Sequence, residues 1–170
     1  MEKTPQVYIV MGSDSDLPVM GEAVKILKEF GVPYELVLAS AHRSPGRTAR
    51  LAAEAAGRGV RVIIAGAGAA AHLAGVIAAH TSLPVIGVPI DATPLQGLDA
   101  LLSTVQMPGG VPVAAMAVGR PGAKNAALFA VRILALTDGA LKVRLESYIR
   151  GMEAEVERKQ AVLDQQEKVS

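Results

Sequence analysis

Residues 62–75 read Val-Ile-Ile-Ala-Gly-Ala-Gly-Ala-Ala-Ala-His-Leu-Ala-Gly. The run Val62–Ala65 is wholly apolar, which is typical of a strand buried on both faces of a parallel sheet. A loop of Gly and Ala follows it and leads into a short predicted helix. In parallel α/β proteins, ligands bind at such loops, where strands end. The stretch therefore predicts an α/β fold with a ligand site beside these glycines.

The same order of apolar run, small polar loop and helix occurs along the whole chain. Strands are predicted over 6–11, 34–39, 62–65, 84–89 and 113–118, and helices from about 18, over 45–57, 70–80, 95–103 and 123–136, and from Asp138 into the tail. Ser44 and Pro45 are predicted as the N-cap and first turn of the second helix, and Asp138 as the cap of the last. This alternation predicts a three-layer α/β/α sandwich with five parallel strands in a flavodoxin-like order.

No linker or repeat divides the 170 residues, so we expect a single domain. It consists of an N-terminal extension over 1–5, an α/β core over 6–137, and a projecting C-terminal helix and tail over 138–170. In the tail, Met152, Val156 and Leu163 fall near one helical face. The tail is either a fraying, solvated helix or a helix that docks on a neighbouring subunit, and we favour docking.

Composition excludes several classes of function. The net charge is only +1 and aromatic residues make up 3%, which argues against a nucleic-acid surface or stacking platform. The chain has no cysteine, so thiol chemistry is excluded. No apolar run reaches the roughly 20 residues that span a bilayer. We expect a cytoplasmic protein with no nucleic-acid or membrane partner.

The middle of the chain is poor in charge. Between Val62 and Gly119 only Asp91 and Asp99 carry a formal charge. Either this part has a neutral surface of Ala, Gly and Thr, or its helix faces pack against other subunits. We favour subunit packing, because a lone chain of this size must expose some of this stretch.

Two loops carry polar residues suited to a phosphorylated ligand. Gly12–Asp16 resembles an anion nest, in which Asp16 either caps the next helix or accepts hydrogen bonds from ribose hydroxyls. In the second loop, Arg43 suits a phosphate because its planar fork donates paired hydrogen bonds. Its neighbour His42 is either a loop histidine satisfied by backbone or a group that transfers a proton, and its position favours proton transfer.

The third loop does not fit a known phosphate motif. Its glycines stand at 66, 68 and 75, which is not the dinucleotide-binding spacing, and it has no Walker A lysine. Its Ala-rich surroundings favour a structural, hydrogen-bonded role for His72, and His80 is interpreted as a favourable charge at a helix end. No histidine pair has metal-ligand spacing beside carboxylates, so we predict no metal and no cofactor.

Five motifs in order identify a resemblance. They are Met11-Gly-Ser-Asp-Ser-Asp16, Ser40-Ala-His-Arg-Ser-Pro45, Gly66-Ala-Gly-Ala-Ala-Ala-His-Leu-Ala-Gly75, Gln106-Met-Pro-Gly-Gly-Val-Pro-Val113 and Gly122-Ala-Lys-Asn-Ala-Ala-Leu128. Over about residues 6 to 150 the chain resembles the N5-carboxyaminoimidazole ribonucleotide mutases of purine biosynthesis. These enzymes move a carboxyl group from an exocyclic nitrogen to a ring carbon of 5-aminoimidazole ribonucleotide.

The resemblance implies a site and an assembly. His42 would be the catalytic acid and base, Ser13, Ser15, Ser40 and Arg43 would surround the phosphate, and Asp16 would take the ribose hydroxyls. The backbone of 66–71 would lie along the imidazole and the mobile carboxyl group. The complete implied substrate-binding set is Ser13, Ser15, Asp16, Ser40, Ala41, Arg43, Gly66, Ala67, Gly68, Ala69, Ala70, His72 and Leu73. The resemblance also implies CO2 as an enclosed intermediate and a homo-octamer whose C-terminal helices contact neighbouring subunits.

Some residues distinguish this chain from related types. Arg43, the Gly66–Gly68 run and Met107-Pro108-Gly109 resemble the mutases rather than the direct aminoimidazole ribonucleotide carboxylases. The chain has Leu17 where an aromatic residue is frequent, Ala69 where glycine is usual, and Ala74 where proline is usual. A direct carboxylase and a non-catalytic module that binds a phosphorylated ligand are the alternatives.

Overall fold

The structure is a computed structural model that describes residues 4–167, so the first three residues of the predicted extension and the last three of the tail lie outside it. The strands are β1 (Val7–Met11), β2 (Tyr34–Leu38), β3 (Val62–Gly68), β4 (Val85–Ile90) and β5 (Ala114–Ala115). The helices are α1 (Leu17–Glu29), α2 (Pro45–Glu54), α3 (Leu73–Ala78), α4 (Leu98–Val105), α5 (Arg120–Ala135) and α6 (Gly139–Glu167). Short 3₁₀ turns cover Asp14–Asp16 and Ala56–Arg58.

The strands form one parallel sheet in the order β2-β1-β3-β4-β5, which confirms the predicted flavodoxin-like order. Val7 pairs with Tyr34 on one side and with Val62 on the other. The loops after β2 and β3 therefore flank the loop after β1 at the carboxyl edge of the sheet. This arrangement brings the three polar loops together.

Helices cover both faces of the sheet, and each face has its own core. Side chains alternate along a strand, so Val7 and Ile9 face the core beneath α1 and α5, while Tyr8 and Val10 face the core beneath α2 and α3. Helix α4 packs on β4 and β5 beside α3. Burial on both faces explains why β1, β3 and β4 have no polar alternation.

Two strands differ from their predicted extent. β3 continues beyond Ala65 to Gly68, because Gly66 and Gly68 pair with Val88 and Ile90 of β4. The glycines therefore belong to the strand, and the third loop starts later than predicted. β5 has two paired residues instead of the six predicted, and Pro112, which has no N–H to donate, lies just before it.

Two helices start later than predicted. α4 begins at Leu98 and not at residue 95, because Gln96 and Gly97 have φ values of 52° and 83°. These conformations interrupt the right-handed helical path. α3 begins at Leu73 and not at residue 70, and the loop before it contains Ala69 with a φ of 53°.

Two other helix ends also differ. α5 begins at Arg120, three residues before the predicted start, with Pro121 in its first turn. α2 ends at Glu54 and continues as the 3₁₀ turn, not as regular helix to residue 57. Ser44 occupies the N-cap position of α2 as predicted, but its side chain makes no capping hydrogen bond.

Helix α6 starts as predicted and then projects. The Leu141 N–H donates to Asp138 Oδ1 at 2.9 Å, which confirms the cap. Leu141 and Leu145 are buried, and the ring of Tyr148 lies 5.3 Å from that of Phe30. Beyond this point the helix continues with an exposed surface. Within residues 4–167 no helix has the length and apolar character needed to cross a bilayer.

Candidate active site

A cleft with a volume of about 360 Å³ opens where the loops after β1, β2, β3 and β4 meet. It lies at the carboxyl edge of the parallel strands, as the sequence predicts for a ligand site. Its walls are formed by Gly12, Ser13, Asp16, Ser40, Ala41, His42, Arg43, Ala67, Gly68, Ala69, Ala70, Leu73 and Ala92.

Most of the predicted site residues line this cleft. Three lie beside it: Ser15, Gly66 and His72. A Cβ on Gly66 would overlap the Met20 side chain, so this glycine permits close packing of α1 on the sheet. Ser15 stands behind Ser13, with the two hydroxyl oxygens 2.9 Å apart.

Gly12 and Ala92 line the cleft without belonging to the predicted set. A Cβ on Gly68 would come within 2.6 Å of the Ala92 Cβ, so the loop after β4 closes tightly on β3. One feature of the sequence could have indicated that Ala92 lies at the site: it follows β4 by two residues, and β4 pairs with β3.

The first loop is closed by a reciprocal capping box. The Ser13 N–H donates to Asp16 Oδ2 at 3.1 Å, while Ser13 Oγ accepts from the Ser15 N–H at 3.4 Å. Asp16 is the N-cap residue of α1, but its carboxylate makes no capping hydrogen bond to that helix. The carboxylate fixes the first loop and borders the cleft.

Asp16 is an acid held in a buried position, with only 6% of its surface exposed. Burial raises the pKa of this carboxyl above its ordinary value, whereas backbone hydrogen bonds from Ser13 and Gly12 and the Arg43 charge act in the opposite direction. The folded state therefore binds a proton more readily at Asp16 than the unfolded state does. As pH rises from the ordinary aspartate range through the folded-state pKa, this group lowers the free energy of unfolding.

We expect Asp16→Asn to keep or raise the free energy of unfolding at neutral pH. At pH 7 the variant's free energy of unfolding should equal or exceed that of the wild type, because an amide accepts the Ser13 N–H without a buried charge. Any gain should vanish near pH 3, where Asp16 is protonated in both states. Urea unfolding at the two pH values, at fixed protein concentration, measures this. The difference in free energy of unfolding, variant minus wild type, should not be lower at pH 7 than at pH 3. A clearly lower difference at pH 7 would contradict this expectation.

The second loop is also closed by its own hydrogen bonds. Ser44 Oγ accepts from the Ser40 N–H at 2.9 Å and donates to the Ser40 carbonyl oxygen at 3.1 Å. Ser40 Oγ accepts the Arg43 N–H at 3.1 Å. These bonds hold Ser40–Ser44 as a compact turn, so His42 and Arg43 project from a defined backbone.

Arg43 joins the second loop to the first. Its Nη2 donates to the Gly12 carbonyl oxygen at 2.6 Å, and its Nε lies 3.5 Å from Ser40 Oγ. The guanidinium is exposed at the cleft, and Arg43 is the only lysine or arginine among the lining residues. An anion entering here would meet a fork of N–H donors already aimed along the cleft wall.

His42 contacts a second histidine. Its Nε2 lies 2.8 Å from Nδ1 of His72, and the two rings are nearly perpendicular, with centroids 4.9 Å apart. Both side chains are exposed. The expected hydrogen bond of His72 therefore exists, but its partner is the candidate catalytic residue, and the ring is not enclosed by the alanines around it.

The third loop contains a strained residue at the cleft. Ala69 has a φ of 53°, in the left-handed region where a Cβ is unfavourable by roughly 1–2 kcal/mol. Strain of this kind occurs mainly at functional sites. Here it turns the chain from β3 towards α3 along the cleft wall.

We expect Ala69→Gly to leave the free energy of unfolding unchanged or to raise it by up to about 1 kcal/mol, because the relief of strain offsets the added freedom of the unfolded chain. The matched control is Ala70→Gly, since Ala70 is also exposed at the cleft but has no positive φ. That control should lose about 0.4–1 kcal/mol. Urea denaturation compares the two, and an equal loss in both variants would refute the account of strain.

Comparisons with known proteins show similarity over nearly the whole chain. A sequence model of the family described as AIR carboxylase matches residues 6–155. The N5-carboxyaminoimidazole ribonucleotide mutase of Pyrococcus horikoshii is 56% identical over 161 residues, which cover 95% of this chain and 90% of that protein. The phosphoribosylaminoimidazole carboxylase of Candida albicans is 51% identical over 96% of this chain, but the match covers only 28% of that longer protein. The crystal structure of Treponema denticola PurE superposes with a TM-score of 0.84 at 28% identity, covering 92% of this chain and 97% of that one.

Proposed function

Because this chain belongs to the AIR carboxylase family, we propose that it is a mutase that converts N5-carboxyaminoimidazole ribonucleotide to 4-carboxy-5-aminoimidazole ribonucleotide in purine biosynthesis. One observation carries the proposal: His42 and Arg43 border the same cleft in a chain 56% identical to a mutase over nearly its full length. Arg43 suits a phosphate, and His42 suits the proton transfer that the rearrangement requires.

The phosphate end of the substrate would lie between the first two loops. Arg43 would exchange its bond with the Gly12 carbonyl for a paired contact with phosphate oxygens. Ser13 and Ser40 would add hydroxyl groups from the cleft wall, and Ser15 would act through its contact with Ser13. These loops are already closed by internal hydrogen bonds, so little ordering remains for binding.

The ribose and the imidazole would lie deeper along the same wall. Asp16 would accept hydrogen bonds from the ribose hydroxyls, since its carboxylate borders the cleft. The backbone of 66–71 would lie along the flat ring, since residues 67–70 of this run line the cleft. Ala41 and Leu73 would form apolar walls.

The rearrangement would proceed by release and recapture of CO2. His42 would protonate the exocyclic nitrogen as its bond to the carboxyl carbon breaks, leaving the electron pair on nitrogen. The ring carbon would then attack the CO2, and His42 would remove the proton from that carbon. The small apolar residues of the third loop would keep CO2 next to the ring, so that recapture needs no bimolecular encounter. No metal or other cofactor has a part in this proposal.

A direct carboxylase that takes free CO2 is the competing function, and the fungal relative named phosphoribosylaminoimidazole carboxylase is the observation that favours it. An assay with two arms separates them. Conversion of N5-carboxyaminoimidazole ribonucleotide without added bicarbonate supports the mutase. The carboxylase is supported if aminoimidazole ribonucleotide is converted in the presence of bicarbonate and N5-carboxyaminoimidazole ribonucleotide reacts no faster than that. Binding without turnover in either arm indicates a non-catalytic module.

We also propose a homo-octamer. Leu98, Leu102 and Val105 form an apolar stripe along α4, and 56%, 48% and 52% of their respective surfaces are exposed. These residues are spaced at intervals of four and three, which places them on one helical face. The stripe lies in the charge-poor part of the chain. Exposed Met152, Val156 and Leu163 on α6 give a second apolar surface for contact between subunits.

We expect Leu98→Glu to lower the sedimentation coefficient at micromolar concentration, because a carboxylate in the α4 stripe opposes apolar packing between subunits. The matched control is Leu136→Glu, which changes an even more exposed leucine outside the stripe. The wild type and the control should sediment as eight chains of 17.6 kDa. A monomeric wild type that is fully active would contradict the proposed assembly.

The proposal includes a cytoplasmic location and excludes a nucleic-acid or membrane partner. It is supported by the low net charge of the whole sequence and by the absence of a membrane-spanning helix among residues 4–167. The only small-molecule partners it requires are the ribonucleotide and CO2.

A further inference from the structure

The contact between His42 and His72 restricts which nitrogen of His42 can react. A separation of 2.8 Å between His42 Nε2 and His72 Nδ1 has room for one hydrogen atom between two nitrogens. If His42 is the donor, its Nδ1 is free to give and take a proton. If His72 is the donor, neutral His42 carries its proton on Nδ1 and has no free lone pair there.

His72 is held in a position that allows it to orient the other ring. It lies at the N-cap of α3, between the buried residues Ala71 and Leu73, and its backbone N–H donates to the Ala70 carbonyl oxygen at 2.8 Å. Its side chain makes no capping bond to the helix, and it does not line the cleft. Its observed side-chain contact is therefore directed at His42.

We propose that His72 is a positioning residue whose Nδ1 accepts the Nε2–H of His42 throughout the reaction, so that Nδ1 of His42 is the atom that transfers the proton. This inference rests on the proposed mutase function. Without such a partner, the His42 ring is free to rotate about its Cβ–Cγ bond and can present a carbon atom where the transferring nitrogen is needed. A bond from a fixed ring removes that alternative and selects the tautomer, as outer partners of functional histidines do.

The proton balance requires the same arrangement at every step. His42 starts as an imidazolium and loses the Nδ1 proton to the exocyclic nitrogen, whose bond to CO2 breaks with the electron pair staying on nitrogen. After the ring carbon has bonded to CO2, Nδ1 takes the proton from that carbon and the imidazolium is restored. The Nε2–H stays in place throughout, so its acceptor must be a neutral His72 that carries its own proton on Nε2.

Two substitutions of His72 form a matched pair, because one keeps a hydrogen-bond acceptor near the position of Nδ1 and the other does not. The amide of asparagine lies near the position of a histidine Nδ1, so the Asn oxygen in His72→Asn can still accept the His42 Nε2–H. His72→Leu has similar bulk and no acceptor. Because His72 is exposed and makes no capping bond, both variants should fold, which thermal unfolding verifies.

Steady-state kinetics with N5-carboxyaminoimidazole ribonucleotide tests the proposal. We expect kcat of His72→Leu to fall on the order of 10- to 100-fold, with KM within about twofold, and kcat of His72→Asn to stay within about threefold of the wild type. In the unliganded wild type, nitrogen-15 NMR should show neutral His42 with its proton on Nε2. In His72→Leu this preference should weaken.

Three results would overturn the proposal: an unchanged kcat in His72→Leu, an equal loss in His72→Asn, or neutral His42 protonated on Nδ1 in the wild type. The wild-type rate in the same series keeps the two proposals apart. If the wild type is inactive, the mutase function fails, and the role of His72 in it fails too. If the wild type is active and His72→Leu is unaffected, only the role of His72 fails.

Discussion

Replacing His42 with asparagine should lower kcat on the order of 100- to 10,000-fold while the fold and substrate affinity are kept. General acid–base catalysis contributes a factor of this size, and an amide cannot donate and recover a proton in the same way. The side chain projects from a turn fixed by Ser40 and Ser44, so the shorter residue should not disturb the backbone. Single-turnover kinetics measure the loss, and calorimetric titration measures the affinity.

The control for this variant is His80→Asn. His80 is exposed beyond the end of α3 and does not line the cleft, so the same substitution there should leave kcat unchanged. A His42→Asn protein that turns over at a near-normal rate would remove the proton-transfer role. A protein that has also lost its affinity or its thermal transition would show that His42 has a different role.

Replacing Arg43 with lysine should raise the dissociation constant of the ribonucleotide about 10- to 100-fold with little change in thermal stability. A hydrogen bond to a charged group contributes about 1.5–3 kcal/mol, and the single ammonium of lysine cannot reproduce the paired donors of the guanidinium. Stability should be preserved because Arg43 is exposed and its contacts to Gly12 and Ser40 lie at the open surface of the cleft.

Arg50→Lys is the matched control for Arg43→Lys. Arg50 is an exposed arginine of α2, the helix that follows the same loop, and it does not line the cleft. Calorimetric titration of both variants with the same ribonucleotide gives the comparison. Equal affinity in the Arg43 variant and the control would mean that the phosphate binds elsewhere.

The fold could be predicted from the sequence because its signals are local. The apolar run at Val62, the Ser44-Pro45 pair and Asp138 each mark a strand or a helix start through backbone chemistry alone. Once the order β2-β1-β3 is predicted, three polar loops must meet at one edge of the sheet. The predicted strand order therefore places His42, Arg43 and Asp16 in one candidate site.

The parts that could not be predicted depend on non-local geometry. The contact between His42 and His72 joins residues 30 positions apart and depends on the rotation of two side chains, so the sequence predicts a hydrogen bond for His72 but not its partner. Ala92 reaches the cleft because the loop after β4 packs closely against Gly68 of β3. Local propensity of the Ala-rich run predicted a helix from residue 70, three residues before α3 begins, and it gave no sign of the positive φ at Ala69.

Transfer of a labelled carboxyl group tests the central claim most directly. N5-carboxyaminoimidazole ribonucleotide labelled with carbon-13 in its carboxyl group is mixed with the protein in excess unlabelled bicarbonate, and mass spectrometry measures the label in the product. A mutase that keeps CO2 next to the ring predicts a 4-carboxy product that retains most of the label, formed without a need for bicarbonate. A product that carries unlabelled carboxyl and forms only when bicarbonate is present would contradict the account.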